Sequence, residues 1–174
     1  SQMPALRLGL IHTGISALDI GYADRSRDAL LKRLRELELD IVTYDHAVVE
    51  SQDALSAAES MRKEDVKLLV ILVGTFTQDP VITNLVQNVS VPVVLWAVPE
   101  VSLKEPPGGP SRSGALVGLM MNASALTKMG IRFKVIFGEP IDSSGFRKLR
   151  NTVEAVRVLC SLRTARIGIV GYHS

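Results

Sequence analysis

A single cysteine, Cys160, occurs in the 174 residues, and a lone thiol can neither close an internal disulfide nor build a thiolate metal site. A cytoplasmic protein is the simplest reading of that scarcity. No stretch approaches the roughly 18 apolar residues that crossing a bilayer takes, and no signal peptide precedes the first candidate strand, so no membrane partner is expected. Charge of one sign is not in excess either. Lys plus Arg number 20 against 18 Asp plus Glu, scattered along the chain rather than massed, which argues against electrostatic capture of a polyanion; no nucleic-acid partner is expected. Three chemistries fall with their missing spacings: there is no G-x-G-x-x-G after the first strand, no G-x-x-x-x-G-K-[ST] and no G-x-S-x-G. The three histidines, His12, His46 and His173, lie far apart, and none stands in a recognised metal-ligand spacing.

What is present is an ordinary globular composition, 47% apolar and 22% charged, with buried-looking runs at regular intervals. Residues 6–11 read as a first strand ending in His12-Thr13-Gly14. Residues 24–38 repeat apolar side chains at helical spacing, with Ala29, Leu30, Leu34 and Leu37 on one face. A short strand over 40–44 follows, then a helix from Ser51, placed to cap it, to about residue 64. The run 68–73 is strand three; Asp79 can cap and Pro80 begin a helix to about 88, since proline is tolerated in a first turn. Residues 92–96 form strand four. The segment 98–112, rich in Pro and Gly, is a long irregular loop of the kind that is usually functional or mobile. A helix over 113–129 stops at Gly130, 133–137 is strand five, and 142–164 is the last helix.

Continuous apolar strands alternating with helices over short connections argue for an α/β fold: a doubly wound parallel sheet of five strands, in the flavodoxin-like order, flanked by helices on both faces. Residues 1–165 form this flavodoxin-like amino-terminal domain. Residues 166–171, Arg-Ile-Gly-Ile-Val-Gly, read as one more buried strand without room for a crossover, so 166–174 is expected to be the first strand of a truncated second domain. An edge strand that ends the fold is the alternative.

In open parallel sheets, ligands bind at the carboxyl ends of the strands, which directs attention to the turns after strands three and four. Thr75-Phe76-Thr77-Gln78-Asp79 offers hydroxyls, an amide and a ring face suited to a polyhydroxylated ligand; helix capping and core closure explain the same residues equally well. Trp96 can stack on a ligand or a second subunit, or pack in the core. Gly108 to Ser113, with Arg112, precedes a helix and can form an anion site, or Ser113 merely caps. Glu100 and Glu139 follow strands four and five, where carboxylates are more often solvated than catalytic. His12 and His46 can meet at one sheet edge or serve as hydrogen-bonded loop residues. Cys160 reads as a small hydrophobe inside the last helix.

Together, V-G-T-F-T-Q-D-P at 73–80, P-V-V-L-W-A-V-P-E at 92–100 and S-R-S-G-A-L at 111–116 resemble the amino-terminal domain of the L-fucose/L-arabinose isomerase superfamily. The closing R-I-G-I-V-G-Y at 166–172 looks like the strand that opens the second domain there. In arabinose isomerases the turn after strand three reads His-Thr-Phe-Ser-Pro; Thr75 and Phe76 match it, and Gly74 stands where the His would be. The resemblance implies an aldose-ketose isomerase acting on a free sugar, with Mn2+ or another divalent cation in the full-length protein and none held by this fragment. It also implies that metal ligands and acid/base carboxylates come from later domains, that the protein is a homo-oligomer, and that this domain closes over a neighbour's active site. Thr13, Phe76, Trp96, Ser111 and Arg112 are the candidate substrate-binding residues; the fragment alone is expected to be inactive. The alternative is a non-catalytic sugar-binding or regulatory module. A two-domain amino-acid racemase would need a cysteine at a strand end, which Cys160 is not.

Overall fold

Aliphatic strands without a polar face need cover on both sides, and the computed structural model shows how they obtain it; it describes residues 6–37, 39–100 and 113–166, with Gly168 and Gly171. Ten elements alternate: β1 Arg7–Thr13, α1 Ile20–Leu34, β2 Asp40–Thr43, α2 Ser51–Lys63, β3 Leu68–Val73, α3 Asp79–Val89, β4 Val93–Ala97, α4 Ala115–Lys128, β5 Phe133–Phe137 and α5 Ser143–Thr164. The five strands form one sheet in the order β2-β1-β3-β4-β5, every neighbouring pair parallel. This is the flavodoxin-like order expected from the sequence.

Side-chain alternation along the strands divides the core in two. Ile11, Leu69, Ile71, Val73, Val93 and Leu95 face α2, α3 and α4, while Leu8, Leu10, Leu68, Val70, Leu72, Val94 and Trp96 face α1 and α5. All six residues of β3 and all five of β4 are buried. Full burial of each large aliphatic side chain contributes on the order of 1.5–3 kcal/mol, so the two central strands anchor the domain and fix the level at which their carboxyl ends emerge.

The boundaries of β3 and β5 are those read from the sequence; several helix starts differ, each for a local reason. Helix α1 begins at Ile20 rather than near 24, because the Asp19 side chain accepts the Tyr22 N–H at 3.0 Å. Its buried face is therefore Tyr22, Ala23, Ser26, Leu30 and Leu34; Ala29 is exposed, and Leu37 lies beyond the helix. Ser51 is the first residue of α2, preceded by Glu50, and makes no cap. Asp79 is likewise inside α3. Helix α4 starts at Ala115 because Gly114 turns left-handed at φ 57°, and Gly130, at φ 69°, follows its end as expected. Strand β1 extends through Thr13, placing His12 and Thr13 in the sheet rather than in a turn. Of the expected second-domain strand only Arg166, Gly168 and Gly171 are among the described residues, and residues 101–112 of the long loop lie outside them.

Candidate functional site at the carboxyl ends of the strands

Three threonines converge where β1 and β3 end. Thr13 and Thr77 hydroxyls lie 2.8 Å apart, the Thr77 hydroxyl donates to the Thr75 carbonyl at 3.0 Å, and the Thr75 hydroxyl accepts the Ile15 N–H at 2.9 Å. All three side chains are wholly buried. A buried hydroxyl without a partner is costly, so these bonds hold the β1 and β3 exits together from beneath. The close approach is also written in glycine: a Cβ on Gly74 would lie 2.4 Å from the Ala23 Cβ, and one on Gly118 would lie 3.1 Å from both the Phe76 Cα and the Thr77 N. Helices α1 and α4 thus press on the 74–77 turn from both faces, leaving the Phe76 ring half-buried and Gln78 exposed at its rim.

The turn is tied to α4 by two further contacts. Phe76 N–H donates to the Ser113 carbonyl at 2.5 Å, and the wholly buried Asn122 donates through Nδ2 to the Thr77 carbonyl at 3.0 Å and the Asp79 carboxylate at 2.9 Å. Ahead of α4, the Glu100 carboxylate accepts from Ser113 N at 3.1 Å, Ser113 Oγ at 3.1 Å and Gly114 N at 2.6 Å. A protein carboxylate therefore fills the place where the sequence suggested an anion site. Ser113 Oγ in turn accepts the Ala115 N–H at 3.3 Å, the capping role that was the plainer reading.

Tyr22 and Glu139 complete the rim. The Tyr22 hydroxyl donates to the Pro99 carbonyl at 2.7 Å. Burial pushes its phenol up, with the Glu139 and Glu100 carboxylates acting in the same direction. Burial, reinforced by Asp142, likewise raises the Glu139 carboxyl above the usual range. Glu139 thus keeps its proton to higher pH than an exposed glutamate. Tyr22 lies ahead of the helical periodicity that begins at Asp24, and Asp19, a good cap three residues before it, is the sequence signal for it.

His12 is wholly buried on the α1 side of the sheet, its Nε2 2.7 Å from Asp24 Oδ1. Burial lowers its pKa, outweighing the opposing bond to Asp24. Its Nδ1 has no hydrogen-bond partner among the described residues. His46 instead lies against the Tyr44 ring, centroids 4.7 Å apart, and 3.7 Å from Asp53, so the two histidines have separate partners. Cys160 is half-buried and packs against the core on the α5 side. A cleft of about 200 Å³ lies at the amino ends of β3 and β4 among Val66, Pro92, Cys160 and Arg163, and another, of about 480 Å³, lies among Val86, Val91, Met129 and Ile131; both are away from the carboxyl ends of the strands, where ligands of this architecture bind.

The arrangement is a rim of the Gln78 amide and the Glu100 and Glu139 carboxylates beside the half-buried Phe76 ring, resting on a buried and internally paired threonine cluster at the ends of rigid strands. It is suited to hydrogen-bonding a small polar molecule. Comparison with known sequences decides the family: the one described as fucose/sulfoquinovose isomerase, N-terminal domain, matches residues 9–163. The chain belongs to this family. Two relatives named sulfoquinovose isomerase, from Priestia aryabhattai and Priestia megaterium (strain ATCC 12872 / QMB1551), are each 22% identical over 158 residues, 91% of this chain. The chain spans about a third of their length, 34%. Among solved structures, a Mycobacterium smegmatis protein in complex with β-D-fucofuranose is similar at 14% identity and a TM-score of 0.39, covering 87% of this chain and 61% of that one.

In this fucose/sulfoquinovose isomerase N-terminal domain, the five residues singled out from the sequence have distinct placements. Thr13 is buried in the threonine cluster. Phe76 presents part of its ring at the edge. Trp96 is wholly buried among core side chains and donates its indole N–H to the Gly138 carbonyl at 2.9 Å; core packing, not a ring face open to ligand, is what the geometry gives it. Ser111 and Arg112 lie outside the described residues. Among the described residues no three His, Cys, Asp or Glu side chains come together as a metal set.

Proposed function

We infer that this domain serves a metal-dependent aldose-ketose sugar isomerase, in which it caps the bound sugar and contributes to a homo-oligomer, while Mn2+ or another divalent cation is held by the remainder of the protein. The family match over residues 9–163 carries the reading. The strand-end rim supports it, because Phe76 offers an apolar surface for a sugar ring and Gln78 and Glu139 offer groups for its hydroxyls. Thr13 and Trp96 act from below as positioning residues, the first through Thr77 and the second through the Gly138 carbonyl. Ser111 and Arg112 remain candidates for contact with the sugar, and a cytoplasmic location fits a sugar-metabolising enzyme.

The test is an isomerisation assay of the full-length protein on L-fucose, related pentoses and deoxysugars, and sulfoquinovose, with Mn2+ added and then chelated. Metal-stimulated interconversion by the full-length protein, with none by the 174-residue chain, is the expected result. Sugar binding without turnover would favour the non-catalytic binding module instead. Turnover by the isolated chain would overturn the capping role.

A further inference from the structure

The two edges of the sheet differ in kind. At the β2 edge, Asp40 is exposed and paired with Arg7 at 2.6 Å, a charged edge of the sort that discourages strand addition. At the β5 edge the side chains facing α4 are Phe133, Val135 and Phe137, in register with Val93, Leu95 and Ala97 of β4. Phe133 is partly covered by the core, whereas Val135 and Phe137 are 42% and 45% exposed. Helix α4 runs back alongside the strand and adds Leu116 and Met120, one turn apart on a single face, with Val117 beside them; Met120 is 65% exposed. Ile141, just past β5, is 77% exposed. Among the described residues no third element covers this strip.

The strip is large for a free surface. A large side chain offers on the order of 150–200 Å², so six that are roughly half open give about 600 Å² per copy. That equals or exceeds the largest apolar patch of a typical monomer, about 300–600 Å², and twice that area reaches the roughly 1,000 Å² at which a specific interface begins.

Its charges select the occupant. Arg132 stands at the amino end of β5 and Asp142 beyond its carboxyl end. A strip that is basic at one end, acidic at the other and apolar between is complementary to its own antiparallel copy. We propose that the α4–β5 face, with the open edge of β5, docks a second copy of this chain about a twofold axis passing near Val135. In that register Phe133 of each copy lies opposite Phe137 of the other, and the basic end of each strip meets the acidic end of its partner. The proposal deepens the oligomeric part of the function inferred above by naming the surface.

Sedimentation velocity on the 174-residue chain tests it without sugar, metal or turnover. At about 100 μM, well above the micromolar dissociation constants that modest interfaces reach, wild type is expected at twice the 18.9 kDa of one chain. Val135→Asp, which sets two carboxylates across the axis, is expected at the mass of one chain. So is Met120→Lys, which reads the same surface from the most open of the three α4 positions and leaves β5 intact. Circular dichroism confirms that the fold is kept. Arg132→Glu and Asp142→Lys should each weaken the dimer at least tenfold, and their combination should recover most of the loss. A wild-type chain at monomer mass, dimers indifferent to Val135→Asp and Met120→Lys, or charge reversals that fail to compensate would each overturn the proposal. Inactivity of the full-length protein on sugars would count against the isomerase reading and leave this surface untouched.

Discussion

Asn122 is the residue whose loss should most clearly loosen the candidate site. Its side-chain amide is wholly buried on α4 and supplies a hydrogen to two acceptors of the turn after β3, the Thr77 carbonyl at 3.0 Å and the Asp79 carboxylate at 2.9 Å. In Asn122→Ala the Thr77 carbonyl loses a donor where water has little access, at a cost of about 1–3 kcal/mol. Asp79 is half-buried, so solvent replaces part of its lost bond, adding about 1 kcal/mol. The expected destabilisation is about 2–4 kcal/mol, which for a domain of this length lowers Tm by about 5–15 °C. Urea unfolding followed by circular dichroism measures it, and the slope against denaturant should stay unchanged.

Asn122→Asp adds a signature that simple loss of packing lacks. It keeps the shape but sets a buried carboxyl against Asp79, so the new group is raised above its unfolded value of about 3.9. The folded state then binds more protons than the unfolded state above that pH, and stability falls as pH rises through the folded pKa. The Asn122→Asp protein should therefore lie closer to wild type near pH 4 than at pH 7. A loss below about 1 kcal/mol for Asn122→Ala, against the 1–3 expected for an orphaned carbonyl, would refute the reasoning, as would an Asn122→Asp deficit that does not shrink in acid.

Three further outcomes are expected. Gly74→Ala should cost about 1–3 kcal/mol in urea unfolding, because its Cβ would meet the Ala23 Cβ at 2.4 Å and Cα at 2.9 Å; pairing it with Ala23→Gly should recover part of that cost. His12, lowered by burial from an ordinary value of 6.5, is neutral in the fold and charged in the unfolded chain below about 6.5, so stability should fall as pH drops from 7 to 5; His12→Gln should flatten that part of a Tm-versus-pH profile. Trp96→Phe should cost about 1–3 kcal/mol in thermal unfolding, because the buried Gly138 carbonyl loses the indole donor that bonds it at 2.9 Å.

Much of the scaffold was legible along the chain. The run Leu-Leu-Val-Ile-Leu-Val of β3 has no polar face, and burial on both sides is the one environment that suits such a run, so its ends coincide with the ends of its hydrophobicity. The turn from Gly74 to Asp79 was legible as the polar exit of β3 for the same reason. Helix starts were less so. Glu50 and Gln78 precede α2 and α3 without a side-chain cap, so those starts are set by packing and by neighbouring elements. The role of Trp96 was undetermined between stacking and core, and register with Leu72 and Ile136 placed it in the core.

The linear order of residues therefore determined the α/β class, the five-strand parallel sheet and the edge at which polar side chains collect, because periodicity and apolar run length are local properties. Only the tertiary structure decided which polar groups meet there. Asn122 reaches Asp79 across 43 residues, Thr13 reaches Thr77 across 64 and Ser113 reaches Glu100 across 13, and nothing in the spacing selects those pairs. They are chosen when α1 and α4 close on the sheet, since a polar group carried out of water must find its partner among whatever groups the packing brings within reach.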